Sequence, residues 1–272
     1  MEADLNEKLG QLIYNLGSMS NLVVAFSGGV DSSLLLKVAQ GVLNRNVIAV
    51  IVDSPTLPRR ELHDAVNFVK EMKVGYHVIE TDNLLIEGFA NNPVNRCYLC
   101  KRDLFGQIKR VAEDYNIEWI ADGSNSDDLG DDRPGMKALK ELGVISPLLE
   151  ADLTKADIRE LARRMQLKTW DKPAAACLAS RFAYGHTISR EKLQMVESGE
   201  DYLLDLGFRQ VRVRIQDDTA RIEVAPQERA KFFNEQIIDG VHDKFKEIGF
   251  AHVSMDLAGY RTGSKNTAEA EK

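Results

Sequence analysis

The sequence predicts an α/β fold built on a parallel sheet and followed by a smaller C-terminal α+β domain. Three observations carry this expectation. Short apolar runs at 22–26, 47–52 and 119–121 alternate with helix-length segments, as in right-handed βαβ units. Those runs lead into Ser27-Gly28-Gly29, Asp53-Ser54-Pro55 and Asp122-Gly123, which are turn compositions. After about Thr187 the order changes to a helix, two short alternating strands, a second helix and a last strand.

In chain order, Leu5, Leu9, Leu12, Ile13 and Leu16 recur at helical spacing and predict an opening helix. The strand at 22–26 is followed by a helix that begins near Ser32. The apolar run 47–52 is the second strand, a helix covers 59–72, and 76–79 is the third strand. A helix over 98–115 leads to the strand and turn at 119–123. In the second domain the spacing predicts helices at 190–206 and 227–248, stopped by Gly207 and Gly249, and a strand at 251–257. The expected division is 1–187 and 188–263, with 264–272 a frayed tail.

The most informative stretch is Ser27-Gly28-Gly29-Val30-Asp31-Ser32, set between a strand and a helix. A helix N-terminus offers unpaired N–H groups and partial positive charge, so this junction suits a nucleotide phosphate. The glycines let the backbone approach oxygen atoms, and Ser27 and Ser32 add hydroxyl donors. Asp31 is best explained as a partner for Mg²⁺ shared with phosphates. The plainer alternative is a glycine-rich turn capped by Asp31 or Ser32. No Gly-Lys-Ser/Thr follows, so the loop is not a Walker A sequence, and it lacks the Gly-x-Gly-x-x-Gly spacing of dinucleotide folds. Ligands of such sheets gather at the carboxyl ends of strands, where Asp53 and Gly123 also fall.

Composition narrows the class. With 272 residues and a net charge of −7, the chain is expected to act on small phosphorylated substrates rather than nucleic acid. No apolar stretch approaches the roughly 20 residues of a membrane span, and no basic segment followed by an apolar one opens the sequence. A cytoplasmic enzyme with no membrane partner is the expectation.

There are three cysteines, Cys97 and Cys100 in a Cys-x-x-Cys and Cys177 alone. The odd count argues against a disulfide framework. Two thiols at this spacing can face one metal, and a third would give three thiolates with an open position, which suits a [4Fe–4S] cluster. Zinc with a ligand such as His77, a redox dithiol, and two inert buried cysteines are the alternatives. Cys177 lies beside Ser180 and Arg181, where a cation favours a thiolate, against the alternative of a small buried hydrophobe. In 210–215 the apolar residues occupy one strand face while Arg212 and Arg214 occupy the other, and 220–224 repeats the alternation. The choice there lies between phosphate binding and a solvated face in which Glu223 pairs with an arginine. The five histidines show no metal-ligand spacing.

The loop at 27–32 resembles the Ser-Gly-Gly-x-Asp-Ser pyrophosphate loop of the N-type ATP pyrophosphatases, which implies ATP cleavage to AMP and pyrophosphate in a parallel-sheet domain. Segments 122–128, 131–135, 176–182 with Tyr184-Gly185, and 211–214 together resemble the ATP-dependent sulfur transferase family LarE, over about residues 18–263. In that family the carboxylates of a pyridinium biscarboxylate mononucleotide are adenylated and converted to thiocarboxylates for the nickel-pincer cofactor of lactate racemase. The resemblance implies Ser27, Gly28, Gly29, Asp31, Ser32, Asp53 and Gly123 at ATP and Mg²⁺, with Asp31 the metal contact. It implies Ser180, Arg181, Arg212 and Arg214 at the substrate phosphate, Cys177 as the catalytic sulfur position, and a homo-oligomer.

In single-cysteine members the residue matching Cys177 donates its own sulfur. The added Cys97 and Cys100 resemble the three-cysteine branch, in which a [4Fe–4S] cluster held by Cys97, Cys100 and Cys177 carries sulfide from an outside donor; this is the preferred expectation over sacrifice of Cys177. The rivals are a tRNA thiolase, which calls for a broad basic surface, an amide-forming synthetase, which has no use for Cys177, and an ATP-binding sensor without turnover. Asp127, Asp128, Asp131 and Asp132 form an acidic loop with a weaker claim on Mg²⁺.

Overall fold

A computed structural model of the protein describes residues 2–129, 134–174 and 176–261. Asp131 and Asp132 of the acidic loop and the tail at 264–272 lie outside these residues. The chain divides into two compact units, Met1–Ile86 with Asn95–Ala175, and Glu87–Val94 with Ala176–Lys272.

The first unit runs α1 (Glu2–Gly17), β1 (Leu22–Ala25), α2 (Val30–Leu43), β2 (Val47–Asp53), α3 (Arg59–Met72), β3 (Gly75–Glu80), α4 (Arg96–Asp114), β4 (Trp119–Ala121), α5 (Pro134–Glu141), α6 (Pro147–Glu150) and α7 (Lys155–Arg164). Its described strands form a four-stranded sheet of order β3-β2-β1-β4, and every pairing in it is parallel. The α/β parallel-sheet expectation is met.

β1 is central, and Leu22, Val23 and Val24 are fully buried, as a strand covered on both faces requires. α2 packs between the sheet and α1, α6 and α7, so Leu34, Leu35 and Leu36 are all buried, and Lys37 and Gly41 form its exposed stripe. Val23, Val50 and Ile120 face the opposite layer, with Phe105 and Ile108 of α4. Successive strands step from β1 to β3 on one side, and β4 then pairs on the other side of β1. That reversal opens a crevice at the carboxyl ends of β1 and β4.

The second unit contains α8 (Arg190–Asp205), β5 (Val211–Gln216), β6 (Thr219–Val224), α9 (Glu235–Ile248) and β7 (His252–Met255). β5 and β6 are antiparallel, whereas β7 adds to β6 in parallel. Val196, Leu203, Val213, Phe245 and Phe250 are buried, with the two rings stacked at 5.6 Å.

The helix expected over 227–248 is interrupted. Pro226–Phe233 is a 3₁₀ segment, and α9 begins only after Asn234, whose backbone is extended. The Asn234 side chain accepts the Gln236 N–H, and a residue capping a helix this way cannot also lie inside one.

Candidate active site

The phosphate loop continues directly from β1. Phe26 N–H donates to Val50 O at 2.8 Å, which keeps the chain on the sheet until Ser27. Gly28 then takes φ +71°, and a Cβ there would stand 3.0 Å from Ala65 Cβ of α3, so both conformation and space require glycine. Gly29 is extended and caps α2. Ser32 Oγ accepts the Ser27 N–H at 3.3 Å, donates to Gly29 O at 3.2 Å and lies 3.1 Å from Ser27 Oγ. These bonds hold the loop in a cradle above the first turn of α2.

Gly123, after β4, closes the other side of the crevice. A Cβ on it would meet Ser32 N at 3.2 Å and Asp31 Cβ at 3.3 Å. Ser27, Gly28, Gly29, Asp31, Ser32 and Gly123 therefore converge in the structure. Asp31 is held by two residues that sequence reasoning missed, since Asn125 Nδ2 donates to Oδ1 at 3.2 Å and Lys155 Nζ contacts Oδ2. Lys155 is the first residue of α7, and its own N–H donates to Asp127 Oδ2 at 2.9 Å. The neighbouring Asp122 is buried, accepts from Ser124 Oγ and Ser146 Oγ, each at 2.6 Å, and lies 3.7 Å from Lys101 Nζ.

Asp53 ends β2 on the same carboxyl edge, two strands from β4. Its carboxylate meets Arg59 Nη1 at 2.5 Å, while Arg59 Nη2 donates to Ser54 O at 2.7 Å. Arg59 was not singled out from the sequence. An arginine in a helix start has no local pattern that identifies its partner.

Cys97 and Cys100 begin α4, one helical turn apart and so on one side of the helix. Cys97 and Cys177 are exposed, Cys100 is half-buried, and none of the three is in a disulfide. Among the described residues, no group of three or more His, Cys, Asp or Glu side chains is arranged to hold a metal ion.

In the second unit, Cys177 opens a short 3₁₀ turn over Leu178–Arg181. Arg181 is 2% exposed and forms a two-pronged pair with Glu200, Nε to Oε1 at 2.8 Å and Nη2 to Oε2 at 2.7 Å. Its Nη1 donates to Ala176 O, Cys177 O and Ser180 Oγ. Burial works against the Arg181 charge, but the Glu200 carboxylate outweighs it and raises the guanidinium above its ordinary value. Glu200 Oε1 also accepts the Val213 N–H at 2.9 Å, which ties α8 to β5.

Arg214 Nη1 donates to Ser180 O at 2.8 Å, and its fork grips Glu223 at 3.0 and 3.1 Å. Arg212 lies over the Tyr260 ring at 5.1 Å. Burial, then the charge of Arg181, lower the Arg212 guanidinium below its ordinary value. The face carrying Arg212 and Arg214 is therefore not solvated. Glu223 is 1% exposed and pairs with Arg214 and Arg221 inside a buried network. Cys177, Ser180, Arg181, Arg212 and Arg214 come together around two carboxylates, and Glu200 and Tyr260 are the members the sequence did not disclose.

The profile of the NAD synthase family matches residues 2–95, which include the phosphate loop. The chain is 39% identical to an uncharacterised protein of Synechocystis over 96% of this chain and 98% of that one. It is 36% identical to the pyridinium-3,5-bisthiocarboxylic acid mononucleotide synthase of Lactiplantibacillus plantarum, over 97% and 95% of the two chains. A third relative, an uncharacterised protein of Methanocaldococcus jannaschii, is 32% identical over 89% and 91%. The chain therefore belongs to the family of that synthase, the LarE sulfur transferases of the phosphate-loop ATP pyrophosphatase superfamily.

Proposed function

We propose that this enzyme adenylates the carboxylates of pyridinium-3,5-biscarboxylic acid mononucleotide with ATP and replaces their oxygen by sulfur, for a nickel-pincer cofactor. The observation that carries the proposal is the Cys177–Ser180–Arg181 turn. An exposed thiol stands beside a buried arginine cluster suited to a phosphate monoester, in a chain that matches the synthase over nearly its full length.

A carboxylate resists attack because its leaving group is oxide. Its oxygen attacks the α-phosphorus of ATP, pyrophosphate departs, and the acyl adenylate then has AMP as a good leaving group. Sulfide held near position 177 attacks the acyl carbon, the C–O bond to AMP breaks, and the thiocarboxylate and AMP leave. The loop at 27–32 binds the phosphates through α2 N–H groups and the Ser27 and Ser32 hydroxyls. Asp31, bonded to Asn125 and Lys155 at the edge of that cradle, would hold Mg²⁺ shared with the phosphates. Ser180, Arg181, Arg212 and Arg214 bind the mononucleotide phosphate, and Asp53 and Gly123 border the nucleotide.

For the sulfur source we favour a [4Fe–4S] cluster over sacrifice of Cys177. The donor set suits it, being three cysteines outside any disulfide, of which two are one helical turn apart. Cys97, Cys100 and Cys177 would hold the cluster, which supplies sulfide taken from an outside donor. The proposed setting is the cytoplasm, in a homo-oligomer. No helix among the described residues is long and apolar enough to cross a membrane.

The test is pyrophosphate release with the biscarboxylate mononucleotide, followed by mass analysis of the product. Wild type is expected to release pyrophosphate and form thiocarboxylate, and Cys177→Ala to release pyrophosphate without forming thiocarboxylate. ATP binding with no substrate-dependent pyrophosphate release would instead mark a sensor.

A further inference from the structure

The segment Glu87–Val94 lies between β3 and α4 in sequence but belongs to the second unit. Two of its side chains anchor it there, Phe89 at 1% exposure and Asn92 at 0%. Asn92 has φ +52°, a left-handed backbone that asparagine tolerates better than most residues.

Several of its bonds go to the chain just past Arg181. Asn92 Nδ2 donates to Ala183 O at 2.5 Å and to Phe182 O at 3.4 Å. The Asn92 carbonyl accepts the Gly185 N–H at 3.0 Å, and Ala90 O accepts the Ile188 N–H at 2.8 Å. On the near side of the same turn, arginines hold the carbonyls, Arg181 those of Ala176 and Cys177 and Arg214 that of Ser180. Arginine cations thus fix the entry of the Cys177–Arg181 turn, and one buried amide fixes its exit.

We infer that Asn92 is a positioning residue for this turn: its side-chain amide sets where Ser180 and Arg181 stand, and through them the affinity for the mononucleotide phosphate. The inference rests on the substrate reading above for the identity of that ligand. The residue type is informative, because two competing roles make different demands. A position that needed only φ +52° would be served as well by glycine. One that needs two donors buried at a carbonyl pair requires the amide, since unsatisfied buried carbonyls carry a desolvation penalty.

The test uses the full-length protein with Asn92→Gly, which eases the backbone and removes the amide. Asn92→Asp is its companion, keeping the volume and the left-handed tolerance while losing both donors. Each is expected to raise KM for the biscarboxylate mononucleotide at least tenfold, read by pyrophosphate release, and to leave KM for ATP within twofold. Wild-type mononucleotide KM in Asn92→Gly would show a purely conformational role and overturn the inference.

Hydrogen exchange without substrate separates this inference from the substrate reading. Amides at 178–185 are expected to exchange at least tenfold faster in the variants, with those of β1 unchanged. Unaltered exchange at 178–185 overturns the inference. If wild type releases no pyrophosphate with the mononucleotide, the substrate reading fails, and exchange alone decides the role of Asn92. Should Asn92→Gly not fold, Asn92→Asp carries the same readouts.

Discussion

Lys155 and Asp31 are in direct contact, Nζ against Oδ2, although 124 positions separate them in the chain. The pair joins the first turn of α7 to the first turn of α2 at the phosphate loop. Both side chains keep some solvent contact, at 33% and 21% exposure, so the pair is partly screened. A polyphosphate at the loop would offer the ammonium a second anion.

Lys155→Met is accordingly expected to act on ATP rather than on folding. Loss of one charge-assisted bond to phosphate, about 1.5–3 kcal/mol, corresponds to a roughly 10- to 100-fold higher KM for ATP. Steady-state pyrophosphate release against ATP concentration measures this, with a melting temperature close to wild type.

Gly28→Ala is expected to lower stability by about 1–3 kcal/mol, because φ +71° strains an L side chain and the new methyl stands 3.0 Å from Ala65 Cβ. Urea unfolding gives the loss. ATP binding by calorimetry should weaken in the same variant, since the cradle and α3 cannot both keep their places.

Glu200→Gln leaves Arg181 as a buried charge without its two-pronged partner. The expected cost is about 3–5 kcal/mol, the usual result of breaking one side of a buried ion pair. Thermal unfolding of the variant reads it.

Glu228 gives the second unit an acid-sensitive contact. Burial raises its carboxyl, but bonds from Lys231 and the N–H groups of Arg209 and Gln210 outweigh that and hold it below its ordinary 4.5. A lowered folded value stabilises fully above the ordinary value, and the contribution fades as pH falls through the folded one. Unfolding free energies of wild type and Glu228→Gln from urea titration are expected to differ near neutral pH, by about 1–3 kcal/mol, and to begin converging as pH falls below 4.5.

Cys97→Ser and Cys100→Ser test the proposed cluster. Each is expected to lower iron and sulfide per chain after anaerobic preparation while leaving substrate-dependent pyrophosphate release intact. Thiocarboxylate formation that stops after one event per chain in either variant, with loss of the Cys177 sulfur by mass, would return the sulfur source to Cys177 itself.

The parallel α/β architecture and the phosphate loop were legible in the sequence because both are written in contiguous residues. The run before Ser27, the glycine pair and the apolar residues of α2 lie within one stretch, and the period of each segment states which element it forms. Arg212 and Arg214 could likewise be assigned to one strand face by alternation alone. Their burial could not, because a period of two says which residues share a face and nothing about what covers it. The break at Asn234 was also hidden, since the helical spacing on either side continues across a residue that caps instead of propagating.

What tertiary structure decided was partnership. Lys155 with Asp31, Glu200 with Arg181, and Asn92 with Ala183 are charges and amides whose partners lie on distant segments. Nothing local distinguishes them from any other lysine, glutamate or asparagine. Short-range sterics and periodicity set the elements, while the cost of burying an unpaired charge or amide selects the contacts between them, and that selection is made only once the chain has folded.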